Sequence, residues 1–107
     1  MVADAMTDQV VREFVGELRG RLGSSVRRIF LFGSRAREDS REDSDYDMLV
    51  VVDRRTPEVR SIILEIESNL MNRYGVLVAT ILRSEEEWLR SQGFPLALNV
   101  AREGVSL

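Results

Sequence analysis

The chain has 107 residues, 44% of them hydrophobic, with 15 Lys plus Arg against 18 Asp plus Glu for a formal net charge of −3. This length sets the expectation of one domain over residues 1–107, and the charge balance lacks the concentrated basic surface that broad attachment to nucleic acid requires. Cysteine and histidine are both absent, which excludes disulfides, thiolate or imidazole metal ligands and a histidine general base, so any metal must be held by oxygen.

From the N-terminus, Val10, Val11, Phe14, Val15, Leu18 and Leu22 recur at three- and four-residue steps, the spacing of an amphipathic helix over 7–22, with Gly23 placed to stop it. Ser24 and Ser25 read as a turn. The β-branched and aromatic run 26–32 predicts a first strand that ends at Gly33. Residues 34–38 have length for about one and a half helical turns, and 38–44 are too polar to bury. A second strand follows over 45–53, and its run Met48, Leu49, Val50, Val51, Val52 implies burial on both faces and a central place in the sheet.

Thr56 and Pro57 form a helix start, as N-cap and first helical residue. A stripe of Val59, Ile62, Ile63, Ile66 and Leu70 carries that helix to Tyr74, where Gly75 ends it. Residues 76–82 predict a third strand, parallel to the second because a helix joins the two in a right-handed crossover. Ser84 and Glu87 are spaced as a capping box for a helix through Ser91. After a break at 92–95, a short helix runs to Glu103 and Gly104. The predicted fold is thus α/β, a small mixed sheet of three or four strands with flanking helices. Its expected core is Phe14, Leu18, Ile29, Leu31, Leu49, Val51, Ile63, Ile66, Val78 and Leu82. No apolar run reaches bilayer length, and the first ten residues lack the basic-then-apolar order of a signal peptide, so a cytoplasmic protein with no membrane partner is expected.

The chemistry concentrates in residues 30–52. In extended backbone Asp45 and Asp47 point to one face, with α-carbons roughly 6–7 Å apart, close enough to share a Mg²⁺ or Mn²⁺ ion. Gly33 and Ser34 form a small turn leading into a helix, whose backbone N–H groups attract phosphate. Arg35 and Arg37 stand at the same helix start, and because all 15 basic residues are arginine, any side-chain clamp on a triphosphate must be a guanidinium. Each feature has a plainer reading. The aspartates are also what a solvated strand entry looks like, Ser34 also suits an N-cap, and the two arginines, like Arg41, also balance Glu38, Asp39 and Glu42. Trp88 and Phe94 read as core or partner surface before a base-stacking shelf.

Taken together, Gly33-Ser34, ten residues, then Asp45-x-Asp47 at a strand mouth resembles the signature of the polymerase-β nucleotidyltransferase superfamily. The wording GSRAREDSREDSDYDMLV is most similar to its minimal nucleotidyltransferase branch, small proteins paired with HEPN-domain partners in toxin–antitoxin operons. The resemblance implies a polymerase-β-like fold and transfer of a nucleotide, AMP from ATP, to a hydroxyl acceptor such as a protein. It implies Asp45 and Asp47 as catalytic metal ligands and Gly33, Ser34, Arg35 and Arg37 as the phosphate-binding set. A HEPN-domain partner is implied, and a homo-oligomer is left open. Active members also bring a third carboxylate from the neighbouring strand to bind metal and deprotonate the acceptor. Here residues 76–82 carry no acid on either face, and the missing group falls at Ala79, with Leu77 the next candidate. A slow enzyme, a nucleotide-binding relic, and an acid supplied by a partner chain are all compatible with that substitution, and the competing reading is an antitoxin that neutralises its HEPN partner by covering it.

Overall fold

The computed structural model describes residues 5–37 and 45–107. The polar stretch 38–44, with Arg41, and the side chain of Arg37 lie outside the described residues. Helix α1, Gln9–Leu22, follows a 3₁₀ turn at Ala5–Thr7. The helix starts two residues later than expected, with Asp8 as its N-cap: one carboxylate oxygen accepts from the backbone N–H groups of Val10 and Val11 at 2.8 and 3.3 Å, satisfying donors that the first helical turn leaves unpaired. Strand β1 is Val26–Phe32, the four-residue helix α2 is Ser34–Arg37, and strand β2 is Tyr46–Val52. Helix α3, Pro57–Tyr74, starts on the Thr56 hydroxyl, which accepts from Val59 N at 3.1 Å, and stops at Gly75, whose φ of 67° is left-handed. Strand β3, Val78–Ser84, leads into helix α4, Glu85–Arg90, through the full capping box of Ser84 and Glu87. Helix α5, Pro95–Glu103, and the two-residue strand β4, Val105–Ser106, complete the chain.

The strands form one mixed sheet in the order β3-β2-β1-β4. Strand β2 is interior, parallel to β3 and antiparallel to β1. Because side chains alternate along a strand, β2 serves two cores at once. Tyr46, Met48, Val50 and Val52 face the layer of α1 and α3, among Phe14, Leu18, Ile63 and Ile66. Leu49 and Val51 face the other way, with Val100, Trp88 and Leu96. All ten expected core residues are buried, none more than 6% exposed. Trp88 stacks at a tilt on Phe30, ring centroids 5.9 Å apart, whereas Phe94 is 63% exposed. The two aromatics therefore have separate roles, one half-buried against the smaller core and one on the surface. Ion pairs Arg21–Glu65 and Arg73–Glu13, both 2.7 Å, run α1 antiparallel to α3. They are exposed, so they fix register more than they add stability.

Several boundaries differ from the sequence reading by one or two residues, and one strand is new. Strand β2 begins at Tyr46, leaving Asp45 just outside its mouth. Strand β3 begins two residues late, because Val76 and Leu77 are a connector in which the Leu77 carbonyl accepts from Tyr46 N at 3.0 Å. Strand β4 was not anticipated. It pairs Val105 and Ser106 with Leu31 and Phe30, covering the outer edge of β1.

Candidate active site

Antiparallel pairing sets Phe32 across from Asp47, so the chain leaves β1 and enters α2 directly beside the mouth of β2. Gly33 makes that exit with φ 76°, a conformation L-residues adopt only at a cost. Its missing side chain is also a steric requirement. A Cβ there would overlap Oδ2 of Asp47 and lie 3.3 Å from its Cγ. The Gly33 carbonyl accepts from Ala36 N at 3.1 Å, winding the turn into α2, where Ala36 is buried. Gly33 and Ser34 are half-buried, as is Asp47, and Asp45 is exposed.

Asp47 shares the parity of Leu49 and Val51, placing it on the α4–α5 face of the sheet. Asp45 precedes the strand and is exposed at its mouth. On β3 the residue in register with Asp47 is Ala79, an exposed methyl group at the place where a neighbouring strand would offer a further ligand. Among the described residues no three acids converge as a metal cluster.

Tyr46 points the opposite way and builds a second layer beneath the turn. Its hydroxyl donates to Asp8 Oδ2 at 2.8 Å, so the N-cap of α1 also anchors the strand that carries the aspartates. The Arg35 guanidinium carbon sits 4.1 Å from the centre of the Tyr46 ring, a cation–π stack. Burial, seconded by the Asp8 acceptor, pushes the Tyr46 hydroxyl up to about 12, against the opposing pull of Arg35. Tyr46 therefore stays a protonated donor at any physiological pH. Sequence reasoning passed over Asp8 and Tyr46. Their only signals were an Asp two residues before an apolar run and a tyrosine between two candidate ligands, and neither reveals a contact across 38 residues. Of the expected site, the fold brings Gly33, Ser34, Asp45 and Asp47 to one sheet end. Arg35 is half-buried, and its guanidinium is over Tyr46.

A carboxylate packed against a glycine turn that opens a helix, with a second aspartate at the same strand mouth, suits an enzyme class that handles nucleoside triphosphates. The chain belongs to the nucleotidyltransferase domain family, whose model matches residues 11–100. Among its relatives is a candidate protein adenylyltransferase of Methanocaldococcus jannaschii, 33% identical over 97 residues, 91% of this chain and 93% of that one. A second of the same description and organism is 32% identical over 75 residues, 69% and 76% of the two chains. Similar solved structures include a toxin–antitoxin crystallised with AMP-PNP (TM-score 0.60, 22% identity, 87% of this chain and 68% of that one). Another is a complex of tri-AMPylated HEPN toxin with MNT antitoxin from Shewanella oneidensis (TM-score 0.54, 20% identity, 92% and 71%). These likenesses show the fold.

Proposed function

We propose that this chain transfers AMP from ATP to a hydroxyl of a protein acceptor, and that the acceptor is a HEPN-type toxin with which it pairs as antitoxin. The observation that carries the reading is the contact of the Gly33 turn with the Asp47 carboxylate at the mouth of β2. The relatives named for protein adenylylation and the fold shared with toxin–antitoxin chains support the acceptor class.

The donor set fits a hard cation. Without cysteine or histidine in the chain, Asp45 and Asp47 offer only carboxylate oxygens, which suit Mg²⁺ or Mn²⁺. Such a cation, held by these two residues, supplies neutralising charge to the triphosphate and to the oxygen on which charge develops. Gly33 lets the phosphate tail approach bare backbone, Ser34 adds a hydroxyl and an N–H, and Arg35 and Arg37 are the guanidinium candidates that follow the turn in sequence. In the reaction the acceptor oxygen bonds to the α-phosphorus, the bond to the bridging oxygen breaks, and pyrophosphate leaves with its electron pair. The acceptor proton needs a base, and β3 presents Ala79 beside Asp47 instead of an acid.

That register supports a second reading, in which catalysis is reduced and the protein neutralises its partner by covering it. One experiment separates the two. The protein is incubated with Mg²⁺, the product of its neighbouring gene and ATP labelled at the α- or the γ-phosphate. The first reading expects label on the acceptor from α-labelled ATP alone, lost with Asp45→Asn or Asp47→Asn. Absence of transfer by wild type, or equal transfer by the variants, refutes it.

A further inference from the structure

From the geometry beneath the turn we infer that Tyr46 is a positioning residue: its ring, tethered by Asp8, holds Arg35 and with it the Gly33–Ser34 turn in the geometry that binds the triphosphate. The inference rests on the proposed function and names a residue that touches no substrate. Three elements meet at one side chain. Strand β2 supplies the ring, which is 4% exposed and packed among the buried residues of α1 and α3. Helix α1 supplies the acceptor, the Asp8 oxygen not used in capping, at 2.8 Å from the Tyr46 hydroxyl. Helix α2 supplies the cation, stacked 4.1 Å above the ring centre.

Each link constrains a different freedom. Without an anchor, a helix of four residues is far too short to hold its own conformation. Ala36 fixes α2 on the core side, but one methyl group cannot set its rotation. The guanidinium stacked on a buried ring supplies a second fixed point, one residue from Ser34. The ring in turn is held at both ends, by its backbone in β2 and by its hydroxyl on the N-cap of α1. Asp47, next to Tyr46 in sequence, lies on the opposite face and against the turn, so the same residue sets the distance between that carboxylate and the turn.

The test must alter the ring's electron density without altering its volume. Tyr46→Phe and its 3,5-difluoro and 3,4,5-trifluoro analogues, introduced as non-natural residues, weaken a cation–π stack stepwise while filling the same space. Affinity for MgATP and for AMP is measured by calorimetry, with thermal midpoint as the control for folding. The expected result is a graded loss of MgATP affinity, about three- to tenfold from phenylalanine to the trifluoro ring. AMP affinity changes less, because AMP lacks the tail the turn holds. In an Arg35→Met background the gradation disappears. A flat MgATP series in a protein that binds MgATP overturns the positioning role, as does a gradation that persists without Arg35. If wild type binds no MgATP, it is the proposed function that fails. Arg35 gripping phosphate independently of Tyr46 would appear as additive losses in the same cycle, and that result also overturns the inference.

Discussion

Replacing Gly33 by alanine separates the two things that glycine does at the candidate site. The first is conformational: a φ of 76° costs an alanine about 1–2 kcal/mol. The second is steric. The new Cβ would meet Asp47 Oδ2 roughly 1 Å inside ordinary contact distance, so the carboxylate must swing away by about that amount. Misplacing a reacting or ligating group by about 1 Å costs on the order of 100-fold in rate, or about 2.7 kcal/mol of barrier. Gly75 provides the control. Its φ is 67°, nearly the same, but a Cβ there has nothing within 4 Å. Gly33→Ala and Gly75→Ala should therefore lose similar stability, about 4–8 °C in thermal midpoint per kcal/mol for a chain of this size. AMP transfer should fall about 100-fold in the first variant alone. Initial rates with α-labelled ATP, read beside the melting curves, make the comparison. Gly33→Ala working within threefold of wild type, or Gly75→Ala losing as much activity, would refute the reasoning.

Ala79→Asp sets a third carboxylate in register with Asp47 and should raise the transfer rate by about 100-fold, the lower end of what a positioned base contributes; an unchanged rate would mean the base already comes from elsewhere. Ile63→Ala, fully buried between α3 and the sheet, should cost about 2–5 kcal/mol in urea denaturation. The Glu87 carboxyl is held down to about 2 by hydrogen bonds from Arg55 and then from the Ser84 backbone N–H. A depressed folded pKa stabilises above the unfolded value, near 4.3, and that contribution is lost as pH falls through about 2. The α4 cap should thus weaken between those limits, and Glu87→Gln should flatten the acid limb of the α4 amide shifts.

What could be read in advance depended on how locally each feature is encoded. The buried strand β2, the stripe of α3 with its Thr56 and Gly75 ends, and the Ser84–Glu87 box are fixed by residues within four positions of one another, and the structure reproduces them. The proximity of Gly33 to Asp47 was legible too, since two short strands closing on a polar connection pair their ends. Apolarity misled at Val76 and Leu77, where Leu77 is 49% exposed and serves through its backbone carbonyl instead of its side chain. Strand β4 has two residues and hence no period to detect. Asp8–Tyr46–Arg35 was invisible for a different reason: it joins three elements that only the assembled sheet brings together.

The central claim is that Asp45 and Asp47 hold a divalent cation against a triphosphate lying on the Gly33 turn. Crystals soaked with Mn²⁺ and a non-hydrolysable ATP analogue, measured at the manganese absorption edge, test it directly. The account requires an anomalous peak within about 2.0–2.6 Å of oxygens from both aspartates, with the phosphate tail along Gly33 and Ser34. Manganese on only one of these carboxylates or at another place, or a nucleotide whose phosphates turn away from Gly33, would contradict it.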